Sequence, residues 1–339
     1  KEDKAGKAII ANLEKNNVTV TAYEIIPDEK DVIQAKAKHY VNEGVDLIIF
    51  TGGTGLLGQA LEKALLAEQH EVFILSRSPK KPNHIKWDVQ NGTIDNSKID
   101  KTEYVINLCG ENVGDKRWSA ARKEALLSSR VDTTKFLFEI FRNQNSLKQY
   151  LTASGVNAYP LNQGKKVFKE SEAFGDDYLS LLVKKWEESA DLFTAKVPVY
   201  KLRISMVLTS EGGALSKLLP LAKLGMASPI GKGTQSNNWV HLDDVSNAFI
   251  HGIKHQLKGA YNLTGESISN RTFMRELMKG HGKRMWAPSV PRFVMKLFMG
   301  ERATIVIDGA YTSSNKLEES GFQFEFPNLK GALVDLFQK

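Results

Sequence analysis

The feature that most constrains this sequence is a glycine-rich turn placed between an apolar strand and an amphipathic helix. The run VDLIIF is followed by TGGTGLLG at 51–58, which fits the pattern T-G-x-x-G-x-x-G. Glycines at these positions permit a tight turn and let the backbone approach a pyrophosphate, while the helix N-terminus supplies N–H donors. This context predicts a dinucleotide site in preference to a flexible loop. Its expected contacts are Thr51, Gly52, Gly55, Leu56, Leu57 and Gly58.

Alternating strand-like and helical patterns predict the fold class. After VDLIIF come the apolar runs EVFIL, HIKWDV, YVINLCG and QYLTAS, separated mostly by helical patterns. This alternation is typical of βαβ units, so we expect an α/β, Rossmann-type, doubly wound parallel sheet. The second half is less regular, which predicts a smaller C-terminal substrate subdomain, and an extra α/β fragment precedes the sheet. The expected domains are 1–45, 46–287 and 288–339.

Composition limits the classes of partner that we expect for this chain. The net charge is +7, but lysines and arginines are spread along the chain, so we expect no nucleic-acid partner. One cysteine excludes an internal disulfide framework, and the sequence begins without the apolar core of a signal peptide. No stretch reaches the roughly 18 uncharged apolar residues of a membrane-spanning helix. We therefore expect a cytoplasmic protein that acts on a small molecule, with no membrane partner.

The end of the second strand indicates which nucleotide is bound. Enzymes that use NAD carry an acidic residue about 20 residues beyond the glycines, where it holds the ribose 2′-hydroxyl. This sequence has Ser76 and Arg77 there, followed by Lys80 and Lys81. Because Arg77 can pair with a 2′-phosphate, NADP is favoured over NAD, the alternative being a solvated surface arginine.

Two further strand ends are expected to contact the adenosine half of the cofactor. Asp88 ends HIKWDV and is placed to meet the adenine edge. Leu108, Cys109 and Gly110 end the strand that would run under the adenosine ribose. Cys109 is interpreted as a small packed residue in preference to a nucleophile.

These segments resemble the short-chain dehydrogenase/reductase superfamily. From Leu47 onward the chain is similar to an atypical extended branch of NAD(P)-binding, sugar-nucleotide epimerase-like proteins, through INLCGENVGDKRW, ARKEALLSSRVDTT, TASGVNAYP and GKGTQSNNWVHLDDV. The resemblance implies that the C-terminal segment is that branch's domain of unknown function. It also implies further NADP contacts at Ser76, Arg77, Leu108, Cys109, Glu124, Arg130 and Val207.

The catalytic pattern of the superfamily is incomplete here. Its members usually place a tyrosine four residues before a lysine that lowers the phenol pKa. Tyr178 lies at about the right position, but Leu182 occupies the place of the lysine. Ser154, which fits the substrate-orienting serine, Tyr159 and Tyr178 are the catalytic candidates, and each could instead be a structural hydrogen-bonding residue.

Polar residues after the strand ends are the substrate candidates, because ligands of open α/β sheets bind outside the carboxyl ends of the strands. Their expected positions are Glu111, Asn112, Arg117, Trp118, Arg122, Trp239 and His241. Trp118, Trp239 and His241 could equally be packing residues. No close set of His, Cys, Asp and Glu has the spacing of metal ligands, so no metal site is expected.

Residues 3–55 resemble a fragment of the molybdopterin-binding proteins of molybdenum-cofactor biosynthesis. The shared features are the segment DKAG, where that family has D-K-S-G, and the turn GGTG. The family's opening strand and everything after the turn are missing, as expected at a junction between two genes. The leading function is an NADP-dependent oxidoreductase or epimerase-like enzyme. The alternatives are a protein that holds NADP(H) without turnover and, remotely, molybdopterin adenylylation.

Overall fold

A computed structural model describes residues 47–338. The fragment that resembles molybdopterin-binding proteins lies outside these residues, except for its end at 47–55. The strands are β1 (Leu47–Thr51), β2 (Glu71–Ser76), β3 (His84–Asp88), β4 (Thr93–Ile94), β5 (Tyr104–Asn107), β6 (Gln149–Gly155), β7 (Val167–Phe168), β8 (Val199–Ile204), β9 (Met206–Leu208), β10 (Ser236–His241), β11 (Gly259–Leu263), β12 (Glu266–Ser269) and β13 (Tyr311–Thr312). The α-helices are α1 (Leu56–Ala67), α2 (Ala120–Phe141), α3 (Tyr178–Ala190), α4 (Gly213–Lys223), α5 (Leu242–Lys254), α6 (Asn270–Gly280), α7 (Arg292–Met299), α8 (Thr304–Ile307), α9 (Asn315–Glu319) and α10 (Leu329–Gln338).

Eight strands form one sheet in the order β11-β8-β6-β5-β1-β2-β3-β4. Every neighbouring pair is parallel except β3 and β4. The order reverses direction at β1, so β1 and β5 flank the switch point where ligands of such sheets bind. The sheet confirms the predicted Rossmann-type α/β fold.

The apolar runs in the sequence are explained by burial on both faces of this sheet. All five residues of β1 are buried, as expected for a central parallel strand. Because side chains alternate across a strand, Ile48 and Phe50 pack in one core with residues of α1 and α5. Leu47 and Ile49 pack in a second core, under α2.

Two smaller sheets belong to the irregular second half. β10 pairs with β9 and β12, and β7 pairs with β13. A third core joins β10 to α6 and α10 through residues such as Trp239, Phe273 and Leu333. In the described part of the chain, no helix is both long enough and apolar enough to span a membrane.

Candidate functional site

The glycine-rich turn connects β1 to α1 at the switch point of the sheet. Gly52 has φ of +72°, a conformation that glycine adopts without strain. A Cβ on Gly58 would overlap the Gly52 carbonyl oxygen and the Gly53 Cα, so α1 lies too close to the turn for any side chain there. Gly55 caps α1 without a side-chain hydrogen bond. The first N–H groups of α1 are therefore not capped by a side chain, as an anion site requires.

Ser76 and Arg77 lie at the carboxyl end of β2, beside this turn. Ser76 is buried and its Oγ accepts a hydrogen bond from the Ser78 N–H at 3.2 Å, whereas Arg77 is exposed. Burial raises the pKa of the Cys109 thiol, and the charge of Arg77 is among the influences that oppose this rise. The guanidinium therefore lies near the end of β5. Lys81 instead pairs with Glu62 at 3.3 Å.

Asp88 closes the turn between β3 and β4. Its carboxylate accepts hydrogen bonds from the Gln90 N–H at 2.9 Å and the Asn91 N–H at 3.1 Å, and from Asn91 Nδ2 at 2.8 Å. The side-chain hydrogen bond from Asn91 is the main cause that lowers the pKa of Asp88. These bonds give Asp88 a structural role, and its contact with adenine stays a prediction.

A buried polar network fixes the end of β5. Thr51 Oγ1 donates to Asn107 Oδ1 at 2.8 Å, and Asn107 Nδ2 donates to Thr134 Oγ1 and to the Tyr150 hydroxyl, both at 3.0 Å. The backbone N–H of Cys109 in turn donates to Asn107 Oδ1 at 3.0 Å. The network holds residues 108–110 beside the glycine turn. The sequence analysis did not identify it, because its members are far apart along the chain.

Arg122 and Arg130 hold the loop that follows β5. Arg122 donates to Glu111 Oε2 and to the Asn112 carbonyl, both at 2.7 Å. Arg130 is only 8% exposed, donates to the Glu111 carbonyl at 3.0 Å and lies 4.8 Å over the Trp186 ring. Four predicted residues, Glu111, Asn112, Arg122 and Arg130, are thus brought together at the carboxyl edge of the sheet.

Two further hydrogen bonds hold the same loop, one from Trp118 at its end and one from Arg302 in the C-terminal segment. The Trp118 indole N–H donates to the Val113 carbonyl at 2.9 Å, and Arg302 Nη1 donates to the Gly114 carbonyl at 2.7 Å. Arg117 is exposed and lies against Gly300. The loop is therefore enclosed between α2 and the segment that follows α7.

Two of the three catalytic candidates belong to a buried network that the sequence analysis missed. Ser154 Oγ donates to Glu187 Oε1 at 2.6 Å, and Arg203 donates to both Glu187 oxygens at 2.7 and 2.8 Å. Arg203 also donates to the Tyr159 hydroxyl at 2.8 Å, and that hydroxyl donates to Asn262 Oδ1 at 2.7 Å. Tyr159 is fully buried, and Ser154 is 5% exposed. These hydroxyls therefore have structural partners already.

Tyr178 has a different environment at the first residue of α3. It is half-buried, its hydroxyl donates to the Lys123 carbonyl at 3.2 Å, and its ring lies 4.9 Å from that of Trp118. Burial raises the pKa of Tyr178, and the charge of Arg130 opposes the rise. The phenol is therefore protonated at neutral pH. Leu182, where the dyad would need a lysine, is 4% exposed.

The structure places Trp239 and His241 inside the protein, not in a substrate pocket. Trp239 is fully buried. His241 is 1% exposed, caps α5 by accepting from the Asp243 N–H at 3.2 Å, and stacks on Phe326 at 4.0 Å. Burial and these contacts correct the expectation that the two side chains line a pocket, in favour of the packing alternative.

One group of possible metal ligands and the last two predicted cofactor contacts, Glu124 and Val207, complete the site. His241, Asp243 and Asp335 have ligand atoms within 4.8 Å of one another, a grouping that chain spacing did not reveal. His241 Nδ1 serves as the cap of α5, and Nε2 lies 3.3 Å from Asp335 Oδ2. Glu124 is exposed on α2, and Val207 is half-buried in β9.

Comparisons with known proteins agree with this architecture. The profile of the NAD dependent epimerase/dehydratase family matches residues 48–179, and that of a domain of unknown function (DUF1731) matches residues 290–336. An epimerase family protein of Staphylococcus saprophyticus is 31% identical over 304 residues, which cover 88% of this chain and 99% of the relative.

Solved structures are also similar. The human epimerase family protein SDR39U1, crystallised with NADPH, has a TM-score of 0.79 at 29% identity, and the match covers 86% of this chain and 99% of the human one. A nucleoside-diphosphate sugar epimerase from Corynebacterium glutamicum has a TM-score of 0.71 at 24% identity, covering 90% of this chain and 61% of the other. The latter likeness concerns the fold alone.

Proposed function

Because this chain belongs to the epimerase family of NAD(P)-binding proteins, we propose that it binds NADP(H) and uses it in oxidoreductase or epimerase-like chemistry. The observation that carries the choice of NADP is Arg77 at the end of β2, where an NAD enzyme would have an acidic residue. The NADPH in the human relative supports the same choice.

The geometry of the glycine turn fits this cofactor. The space that a Cβ would fill at Gly58 is taken by the turn itself, so α1 packs closely on the turn. A Cβ on Gly55 would meet only the Gly52 carbonyl oxygen, at 3.4 Å, which fits the second glycine of the pattern, where the backbone approaches a diphosphate. In the proposed complex, residues 51–58 hold the diphosphate, Arg77 holds the 2′-phosphate, and residues 108–110 lie under the ribose. Arg130, Glu124 and Val207 stay proposed contacts on the strength of the family resemblance.

The bound nicotinamide would supply or accept a hydride at C4. We assign the accompanying proton to Tyr178, because this phenol is half-buried, protonated at neutral pH and beside the loop after β5. Its hydroxyl would turn from the Lys123 carbonyl, which it contacts at 3.2 Å, to the substrate. Ser154 directs its own proton to Glu187, so it would present only acceptor lone pairs to a substrate. Tyr159 would position Arg203 and not touch the substrate.

The proposed substrate is small and polar, and it would lie against the loop after β5. Glu111, Asn112, Arg117, Trp118 and Arg122 are the proposed contacts, since they follow the end of β5 at the switch point. We also propose the domain division 1–45, 46–287 and 288–339. The last domain would hold this loop through Arg302.

A second function is a protein that binds NADP(H) without turnover. The observation that favours it is the buried Leu182, which leaves Tyr178 without the lysine that superfamily members use. Oxidation of NADPH in the presence of a panel of carbonyl compounds and sugar nucleotides separates the two functions. Turnover with any of them contradicts the non-catalytic alternative.

Replacing Arg77 by alanine tests the cofactor proposal. We expect the Kd for NADPH to rise about 10- to 100-fold, because charge-assisted bonds to the 2′-phosphate are lost, while the Kd for NADH stays unchanged. Fluorescence titration of the purified protein measures both values. Lys80→Ala, which removes a nearby exposed charge, serves as the matched control. Equal weakening of NADPH and NADH would contradict the assignment.

Replacing Tyr178 by phenylalanine tests its role as proton donor. We expect kcat to fall by about 10²- to 10⁴-fold, with the Kd for NADPH unchanged, because the hydroxyl that would donate the proton is removed while the ring stays in place. Steady-state NADPH oxidation with a substrate found in the panel measures this. Tyr311→Phe is the matched control, since Tyr311 is also half-buried and donates to a backbone carbonyl, that of Thr234, at 3.2 Å. Equal activity of the two variants would remove Tyr178 from the mechanism.

A further inference from the structure

Six large apolar side chains form an unusually exposed group, called here the apolar patch. They are 52–74% exposed, and no other large hydrophobic side chain within residues 47–338 exceeds 51%. Single exposed apolar residues are ordinary, but a group of them marks an interaction surface. The apolar patch consists of Leu224, Met226, Trp286, Phe293, Leu297 and Phe298.

The apolar patch is built from two chain segments that lie side by side. The Val290 N–H donates to the Pro229 carbonyl at 2.9 Å, and the Gly231 N–H donates to the Val290 carbonyl at 2.8 Å. A Cβ on Gly225, between Leu224 and Met226, would lie 3.4 Å from the Trp286 indole nitrogen. The residues after α4 and those leading into α7 therefore form one continuous surface.

Helix α7 carries apolar side chains on its outward face as well as on the face that packs against a core. Met295 and Met299 pack against the core formed by Ile230, Ala303 and Ile307. Phe293, Leu297 and Phe298 face outward on the same helix, which has no buried residue at all. Packing within residues 47–338 therefore explains the two methionines, whereas the outward side chains contribute to no core of that part of the chain.

The surroundings of the apolar patch are strongly cationic. Segments 212–242 and 277–300, which carry the patch, contain no Asp or Glu. Their cations are Lys217, Lys223, Lys232, Lys279, Lys283, Arg284, Arg292 and Lys296. Within residues 47–338, carboxylates pair with Lys217, Lys279 and Arg292, whereas the other five cations, Lys223, Lys232, Lys283, Arg284 and Lys296, form no ion pair. The two chain segments that carry the patch thus carry eight cations, and one of them, Arg292, lies against Gly231 where the two segments meet.

We propose that the apolar patch docks peripherally on an anionic lipid bilayer. Aromatic and aliphatic side chains that stand beside Lys and Arg are the composition of helices that lie in a membrane interface. A second copy of this chain fits less well, because a two-fold dimer would bring together two surfaces in which cations outnumber carboxylates. The proposal differs from the expectation of no membrane partner. That expectation was based on the spread of charge along the sequence and on the lack of an apolar stretch long enough to span a membrane.

Vesicle co-sedimentation of the full chain tests the proposal. We expect binding to vesicles of phosphatidylcholine mixed with phosphatidylglycerol, no binding to phosphatidylcholine alone, and weaker binding as salt is raised. Phe293→Ser/Phe298→Ser should weaken binding about 10-fold or more, and Lys283→Glu/Arg284→Glu should weaken it similarly. Leu66→Ser and Lys63→Glu, two exposed positions on α1, are the matched controls and should bind like the wild type.

Tryptophan fluorescence provides a second readout. Trp286 is 73% exposed, whereas Trp87, Trp186 and Trp239 are buried and Trp118 is half-buried and outside the patch, so brominated lipids should quench mainly Trp286. Failure of the wild type to bind anionic vesicles would overturn the proposal, as would unchanged binding of both double variants. A wild-type dimer in solution that Phe293→Ser/Phe298→Ser dissociates would assign the patch to a second copy instead. NADPH titration of the same variant should stay normal, which separates this proposal from the cofactor site.

Discussion

Replacing Gly58 by valine is expected to lower the affinity for NADPH by about 100-fold. Even the Cβ of the new side chain would overlap the Gly52 carbonyl oxygen and the Gly53 Cα, and neither is a flexible side-chain atom that could move away. The turn must open or α1 must withdraw from it, and either change moves the helix N–H donors away from the diphosphate. Fluorescence titration with NADPH measures the loss.

Gly331→Val is the matched control for this substitution. Gly331 also lies in a helix, α10, and its Cβ would meet only Asn328 Oδ1 at an ordinary 3.5 Å. Thermal unfolding of both variants shows whether lost binding reflects a local change or general unfolding. If Gly58→Val is folded and binds NADPH like the wild type, the glycine turn is not the diphosphate site.

Replacing Arg203 by methionine is expected to lower the free energy of unfolding by about 3–5 kcal/mol. The side chains of Arg203 and Glu187 are each only 4% exposed, so the variant leaves the Glu187 carboxylate buried without its cation. The Tyr159 hydroxyl also loses the donor at 2.8 Å that fixes it beside Asn262. Urea-induced unfolding at neutral pH measures the change.

Lys201→Met is the matched control on the same strand, β8. Lys201 pairs with Asp191 at 2.8 Å, but Asp191 is 46% exposed, so this ion pair should contribute only about 0–1 kcal/mol. Glu187→Leu combined with Arg203→Met should recover part of the lost stability, because no uncompensated charge then stays buried. If Arg203→Met and Lys201→Met unfold at the same urea concentration, the buried network does not stabilise the fold as described.

The sequence alone predicted those elements whose pattern lies in neighbouring residues. LIIFT is apolar throughout because both faces of β1 are buried, and the glycine spacing follows it at once, so strand, turn and helix could be predicted together. Ser76 and Arg77 could be located for the same reason, since each βα unit repeats over a known length. The family resemblance adds the C-terminal domain, which the profile match at residues 290–336 confirms.

The hydrogen-bond partners of the catalytic candidates could not be predicted from the sequence. Ser154 and Tyr159 are close to each other in the sequence, but their partners lie far along the chain, Glu187 on α3 and Arg203 on β8. A glutamate on a helix and an arginine in a strand have no periodic pattern that reveals their pairing. For the same reason, Trp239 and His241 could not be assigned to core or pocket before α6 and α10 were seen to pack on β10.

The sequence by itself determined the parallel sheet, the glycine-rich turn between strand and helix, and the basic residue in place of the NAD-type acid, because each depends on neighbouring residues and on the regular period of strands and helices. Only the tertiary structure decided which polar side chains are paired in the core, which tyrosine stays partly exposed, and how distant lysines and apolar residues gather on one surface. Those outcomes depend on contacts between residues far apart in the chain, where burial and hydrogen-bond partners, not local pattern, fix the favoured arrangement.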